Sequence, residues 1–292
     1  MNRIKSILYA AVSSSTFGLA PFFSITLLLA GFSAFEVLSY RWGVASIVLI
    51  VFGWLSGCNF RLAGKDWGVV FLLSLLRAVT SFSLIIAYQN IASGVASTIH
   101  FMYPLAVALA MMFFFREKKS LLVILAVLMS LLGAALLSLG ELEAKSGNTM
   151  VGLVAACVSV FSYAGYIVGV RTTRAVQINS TALTCYVMGL GTIFYLIGAY
   201  CTSGLQLVSD GYTWLIILGL ALPATAISNI TLVQAIKYAG PTLTSILGAM
   251  EPLTAVVIGV FVFKELFTVN SAVGIILILL AVSIVVFRRQ KS

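Results

Sequence analysis

The sequence predicts an all-α polytopic membrane protein of ten transmembrane helices in two inverted five-helix repeats, and three observations lead there. The first is an internal repeat at an offset of 148 residues. Sliding Ala87–Glu117 onto Ala235–Glu265 aligns Ala87/Ala235, Ser97/Ser245, Met102/Met250, Pro104/Pro252, Leu105/Leu253, Phe113/Phe261, Phe115/Phe263 and Glu117/Glu265, with Arg116 over Lys264. Chance in such apolar text gives roughly two or three identities. The second is composition: 61% hydrophobic and 9% charged residues, with a mean hydropathy of +1.14, far from a soluble balance. The third is a one-sided distribution of basic residues, taken up below.

Runs of roughly 20 apolar residues, the length that crosses the hydrocarbon core, fall near 7–30, 34–56, 67–88, 91–115, 120–140, 149–170, 180–202, 212–235, 240–263 and 269–288. The first carries a polar Ser13–Thr16 stretch and continues past any short signal-peptide core, so it reads as a retained helix. The second holds Arg41, the third Arg77, and the fourth His100 with Pro104. The fifth and sixth flank an acidic linker, Glu141–Glu143 followed by Ser146-Gly147-Asn148. The eighth carries Asn229 and Gln234, the ninth Glu251 with Pro252, and the tenth runs up to the basic Arg288-Arg289 pair. Five spans per copy is an odd number, so residues 146–292 enter the bilayer in the opposite sense from residues 1–145. Inverted duplication of this kind places a substrate site near the midplane between the halves.

With the N-terminus in the cytoplasm, thirteen basic residues face that side: Arg3, Lys5, Arg61, Lys65, Arg116, Lys118, Lys119, Arg171, Arg174, Lys237, Arg288, Arg289 and Lys291. Only Lys145 and Lys264 face the other. Positive loops stay inside, which puts both termini in the cytoplasm. The net charge of +9 therefore reflects orientation and lipid headgroups, not nucleic acid. Cys58, Cys157, Cys185 and Cys201 show no metal spacing, and three of them sit in or at the ends of apolar spans as small hydrophobes. No Gly-rich loop followed by Lys-Ser/Thr appears, against an ATP-driven pump. One histidine among scattered serines offers no nucleophile–base pair, so no catalytic residue, cofactor or metal is expected.

The stretch Ala235-Ile236-Lys237-Tyr238-Ala239-Gly240, then Met250-Glu251-Pro252-Leu253 and Phe263-Lys264-Glu265, resembles the EamA-type transporters of the drug/metabolite transporter superfamily. The first copy echoes it with Ala87-Tyr88, Tyr103-Pro104-Leu105 and Arg116-Glu117, and Arg41 resembles an arginine often found in the second span. The resemblance covers nearly the whole chain and implies the ten-helix, two-repeat plan. It leaves the substrate open among amino acids, sugars, cofactors and drugs. Phe17-Gly18 departs from the Trp-Gly pair common there, and His100 and Arg77 are not family landmarks.

Arg41, Arg77, His100 and Glu251 are the ionisable side chains, Tyr and Cys apart, that lie well inside spans. A charge at the bilayer centre costs at least about 2.5–3.5 kcal/mol, so each needs a partner or water. Glu251 lies roughly 15 Å into its span, beside the backbone donor that Pro252 removes. It reads as a cavity acid for a cation or proton, or as a packing acid bonded to a hydroxyl. His100 shares a face with Ser93 and Ser97, extended by Tyr103. It either serves the cavity or bonds a Ser or Tyr of an adjacent helix. Arg77 stays protonated and either clamps a substrate carboxylate, neutralises Glu251, or forms a structural ion pair. Arg41, nearer the outer end and five residues after Glu36, reads as structural and able to snorkel. Gln89, Tyr163 and Tyr166 are weaker cavity candidates, while Trp42, Trp54, Trp67 and Trp214 read mainly as interfacial belt.

The resulting expectation is a secondary carrier that moves a small metabolite across a bacterial inner membrane by alternating access, as an exporter. The metabolite is an amino acid or related compound, or a drug-like molecule. Uptake of a cationic metabolite is the alternative, with a sensor or channel behind it. The expected site comprises Glu251, His100, Tyr103, Arg77, Ser97, Tyr88, Gln234 and Asn229, with Pro104 and Pro252 loosening its helices. Its partners are the small-molecule substrate, the lipid bilayer and a proton as coupling ion.

Overall fold

The computed structural model describes residues 3–91, 93–117, 121–138, 147–202, 204–248, 250–254 and 268–291, and its regular structure is entirely helical among them. Lys118, Lys119, the linker with Glu141, Glu143, Lys145 and Ser146, and the end of the ninth predicted span with Phe261, Phe263, Lys264 and Glu265 lie outside the described residues. The helices are α1 (Arg3–Phe17), α2 (Ala20–Leu29), α3 (Ala34–Leu55), α4 (Trp67–Asn90), α5 (Ser93–His100), α6 (Tyr103–Phe113) and α7 (Leu121–Ser138). There follow α8 (Thr149–Thr172), α9 (Ser180–Thr202), α10 (Gly211–Ala221), α11 (Ser228–Ala239), α12 (Pro241–Leu247) and α13 (Val269–Lys291), with a helical segment at 250–254.

Among the described residues, seven helical runs are long and apolar enough to cross a membrane: Lys5–Leu29, Ala34–Leu55, Gly64–Asn90, Val95–Phe113, Thr149–Thr172, Ser180–Thr202 and Gly211–Ala239. Shorter apolar helices occupy Leu121–Gly133 and Ala272–Ile284. Burial is inverted relative to a soluble protein. Ile47, Val51, Phe161 and Leu215 face outward, while Ser74, Thr80, Ser159, Thr225 and Asn229 are buried. Such a surface suits hydrocarbon, where polar groups must find partners inside.

Proline placement explains where spans are interrupted. A proline lacks the N–H for its i−4 carbonyl and its ring crowds that carbonyl, so a helix yields one turn earlier. α1 gives way to α2 at Gly18, ahead of Pro21; α5 gives way to α6 ahead of Pro104; α12 ends at Gly248, ahead of Pro252. Between α10 and α11 the chain relaxes into a π turn, Leu222–Ile227, around Pro223. The fifth proline, Pro241, starts α12 after Gly240, whose φ of 86° suits only glycine at low cost.

α4 runs along α8, α3 along α9, α7 along α13, and α1 along α11. Lipid supplies no hydrophobic drive between helices, so close packing has to hold them together. Glycines of α9 receive aromatics of α3. A methyl at Gly191 would lie 2.1 Å from the Trp42 ring, and one at Gly198 would lie 2.4 Å from Phe35. Trp42 is therefore not interfacial: it is 1% exposed and meets Tyr195 edge-on at 5.1 Å. Its depth along the span suggested a belt position; the glycine notch opposite draws it inward. At the start of α3, Ser33 and Glu36 cap each other, and Glu36 also accepts from the Gln206 backbone N–H at 2.7 Å.

Candidate functional site

The interruptions of three spans converge on one cavity of about 60 Å³. Its walls are Phe17, Gly18 and Pro21 at the α1–α2 break, Leu84 and Tyr88 of α4, Ser97, Thr98, His100 and Phe101 at the end of α5, and Glu251 with Pro252. A smaller pocket shares Phe17, Pro21, Leu84 and Tyr88 and extends to Arg41, Arg77, Thr80 and Ser81. The acid and the imidazole thus line the main cavity, and the two arginines line the adjoining pocket.

His100 is 4% exposed, and its Nδ1 lies 2.9 Å from Ser159 Oγ. Ser159 Oγ is also 2.6 Å from the Ala156 carbonyl oxygen. Two oxygens that close must share a proton, so the serine hydroxyl donates to the carbonyl. The serine then accepts from His100, which fixes the proton on Nδ1. The other nitrogen, Nε2, is left as a buried acceptor with no partner among the described residues. The imidazole is held flat against Tyr163, with ring centroids 5.4 Å apart.

Glu251 accepts from Tyr103 Oη at 3.4 Å. Its own backbone N–H donates to the Gly248 carbonyl at 2.8 Å, filling the acceptor that Pro252 cannot reach. Tyr103 and Glu251 are 148 residues apart, the offset of the repeat, so the two copies touch at equivalent positions. Gly248 makes that contact possible. A methyl there would lie 1.8 Å from Tyr103 Oη and 2.7 Å from the Ser245 carbonyl oxygen. Gly248→Ala is expected to displace the phenol from Glu251 and to lower stability by about 1–3 kcal/mol, the usual cost of overpacking. Melting curves of purified protein measure it. Adding Tyr103→Phe, which removes the clashing oxygen, should recover part of the loss; equal damage in both backgrounds would refute the steric explanation.

The two arginines are anchored on the π turn and its sequel. Arg41 Nε donates to Thr225 Oγ1 at 2.7 Å, and the Thr225 hydroxyl in turn donates to the Leu220 carbonyl. Arg77 Nε donates to Asn229 Oδ1 at 3.1 Å, while the Asn229 amide donates to the Thr225 carbonyl, which settles its orientation. Arg77 also lies over Tyr163 at 4.9 Å, Phe17 at 5.3 Å and Tyr166 at 5.9 Å. Arg41 sits 5.6 Å from the same Phe17 ring.

Of the sequence-predicted residues, Glu251, His100, Ser97 and Tyr88 line the main cavity, Tyr103 bonds Glu251, and Arg77 lines the adjoining pocket, steadied by Asn229. Tyr88 and Ser97 hydroxyls are 3.3 Å apart. Pro104 is buried at the start of α6. Gln234 lines neither space; its Oε1 is a buried oxygen without a hydrogen-bond partner among the described residues. The snorkelling expected of Arg41 is overturned: it is 4% exposed and turned inward, because the π turn across from α3 offers a hydroxyl and a carbonyl at its depth. Sequence reasoning missed Ser159, Thr225 and the walls Pro21 and Leu84. Pro21, next to the unusual Phe17-Gly18 pair, carried the one readable signal.

Comparison with known proteins adds identity to this geometry. A family model described as the EamA-like transporter family matches residues 4–139 and again 150–287. An uncharacterized transporter from Archaeoglobus fulgidus is 28% identical over 238 residues, covering 80% of this chain and 83% of that protein. A crystal structure covering 100% of both chains superposes with a TM-score of 0.84 at 17% identity, a likeness of fold alone.

Proposed function

Because the chain belongs to the EamA-like transporter family, and is thereby a multi-pass membrane transporter of the drug/metabolite transporter superfamily, we propose that it is a secondary carrier working by alternating access around the cavity of His100 and Glu251. The observation that carries this reading is the cavity itself: a half-buried acid and a buried imidazole nitrogen without a partner among the described residues share one space at the interruptions of three spans. Interrupted helices around a central site are a recurrent transporter device. The ten-helix, two-repeat plan is part of the proposal. It is supported by the twofold match of the family model and by helix pairings that map onto themselves when the halves are exchanged. The substrate is a small metabolite, an amino acid or related compound, moved outward across a bacterial inner membrane with a proton as coupling ion.

On the proposed topology the cavity lies at the interruptions near mid-depth, with Leu84 and Tyr88 from the outer half of α4. The inner ends are tied together: Ser13 to the Ser228 carbonyl at 2.9 Å, Thr242 to Glu117 at 2.6 Å, and Arg171 to the Lys237 carbonyl at 2.7 Å. Lys237 in turn donates to the Ile178 carbonyl. The outer ends are tied as well, by the Asn148 N–H to Asn90 Oδ1 at 3.0 Å and the Gln206 N–H to Glu36 at 2.7 Å.

The test is flux into proteoliposomes of purified protein. A carrier gives saturable uptake that unlabelled substrate on the far side accelerates, whereas unsaturable flux without countertransport would identify a channel. Topology is tested separately, after the four native cysteines are replaced. A cysteine at exposed Asn148 should react with an impermeant reagent on intact cells, and one at exposed Arg174 should be shielded. The reverse pattern would overturn the orientation.

A further inference from the structure

Resting on the reading of the chain as an alternating-access carrier, we infer where its cytoplasmic opening forms. It lies between α8, α11 and α12, walled by Leu232, Ile236, Ser245, Gly248 and Tyr103, and the Tyr166 hydroxyl is the polar group that meets water or substrate there. Repeat equivalence places these walls. The offset of 148 residues carries α3 onto α9, the run Gly64–Asn90 onto Gly211–Ala239, and α5 onto α12, each to within two residues. The pairings follow: α4 lies along α8, and α1 along α11. Where one repeat rocks against its inverted copy, the equivalents of the walls on one side become the walls on the other.

The existing cavity has Leu84, Tyr88, Ser97, His100 and Glu251 among its walls. Their equivalents at the repeat offset are Leu232, Ile236, Ser245, Gly248 and Tyr103. These stand together: Tyr103 packs against Gly248, and α12 touches α6, α8 and α11. Leu232, Ile236, Ser245 and Tyr103 are all buried, so this side is shut. The inner ties cross the same helices. Thr242 of α12 holds Glu117, Arg171 of α8 holds the Lys237 carbonyl of α11, and Ser13 of α1 holds the Ser228 carbonyl of α11. Opening the route means releasing them.

The Tyr166 hydroxyl points to the same place independently of the repeat. Tyr166 is 0% exposed, and its Oη has no hydrogen-bond partner among the described residues. It lies about 9 Å from the cytoplasmic end of α8, which closes at Thr172. Its ring stacks parallel to that of Tyr163, with centroids 6.5 Å apart. The other hydroxyls of the route are engaged: Ser245 Oγ donates to the Thr242 carbonyl at 2.9 Å, and Tyr103 Oη donates to Glu251. The equivalents of His100 and Tyr88 are Gly248 and Ile236, so the inner route lacks that imidazole and that phenol. A hydroxyl buried without a partner is costly. Opening toward the cytoplasm pairs it, so Tyr166 favours the open state by what it lacks in the closed one.

The experiment measures reaction of single cysteines with a membrane-impermeant methanethiosulfonate, in the full chain with its four native cysteines replaced. Ser245→Cys is expected to react from the cytoplasmic face of inside-out vesicles. Leu183→Cys, equally buried on α9, should stay unreactive there, and Ser97→Cys should react from the outer face of right-side-out vesicles. Leu232→Cys replaces Ser245→Cys if the latter fails to fold. Glu117→Gln weakens the Thr242 tie, and should speed reaction at 245 and slow it at 97, roughly threefold or more each. Tyr166→Phe removes the unpaired hydroxyl and should slow reaction at 245 by about the same factor. No reaction at 245 or 232, reaction of Leu183→Cys at the same rate, or an unchanged or faster rate in Tyr166→Phe overturns the inference. If that failure comes with saturable flux and countertransport in proteoliposomes, the carrier reading stands and only the route falls. Rates that rise together at 97 and 245 in Glu117→Gln would identify a channel and remove the carrier reading along with the route.

Discussion

Glu251→Gln is expected to reduce transport at least about tenfold, and to background if this carboxylate carries the coupling proton, while leaving the fold intact. The amide keeps the shape and still accepts from Tyr103 Oη, so the packing around Gly248 and Pro252 survives. What disappears is the negative charge, and a hydrogen bond to a charged group contributes about 1.5–3 kcal/mol, a factor of roughly 10–150. Burying an ionised carboxylate opposes folding, so the melting midpoint should hold or rise. Flux in proteoliposomes, measured with melting curves on the same preparation, checks both halves. A variant with the rate and pH profile of the original protein would make Glu251 a packing residue and end its proposed role.

Arg77→Met is expected to abolish transport with little change in stability. Three aromatic rings surround the guanidinium within 6 Å, each contributing about 0.5–2 kcal/mol, and the hydrogen bond to Asn229 adds about 1.5–3 kcal/mol. Against these stand at least about 2.5–3.5 kcal/mol for placing the charge at this depth, and proximity to Arg41. At the low end of these ranges, about 3 kcal/mol, the attractive terms match that cost. Methionine fills much of the volume and is comfortable against aromatic rings, leaving Asn229 Oδ1 unpaired at about 1–3 kcal/mol. A stability change within about 2 kcal/mol, with flux at background, would mark Arg77 as retained for its work on substrate. Aggregation of the variant, or full transport by it, would show the arginine to be a structural brace or dispensable.

The charged positions of the candidate site are readable in the sequence because hydrocarbon penalises them. An arginine, histidine or glutamate stands out amid apolar text, and a proline marks where a helix will yield. Partners are not readable in the same way. His100 depends on Ser159, 59 residues away, and Arg41 on Thr225, 184 residues away; serines and threonines are too common in these spans for either to stand out. Arg41 and Trp42 depart from expectation for a related reason. Depth along a span follows from residue count, but facing lipid or protein depends on the neighbouring helix, here Gly191 of α9 and the π turn before α11. The Tyr103–Glu251 contact is different again: its 148-residue spacing is the repeat offset itself.

That contact has a consequence for ancestry. On the proposed duplication, equivalent residues that touch must straddle the pseudo-two-fold axis. In a dimer of two separate, identical half-length chains, whatever residue stood there would face its own copy. Two glutamates would repel or share a proton, and two tyrosines would leave the axis without an acid. Only once the two halves had separate sequences could one copy keep a phenol while the other acquired a carboxylate. A single acid on the axis means one titratable charge per molecule, where a symmetric ancestor would have had two or none. The chain's two halves therefore cannot be interchanged: a protein rebuilt from two copies of either half would keep the helical plan and lose the chemistry at its centre.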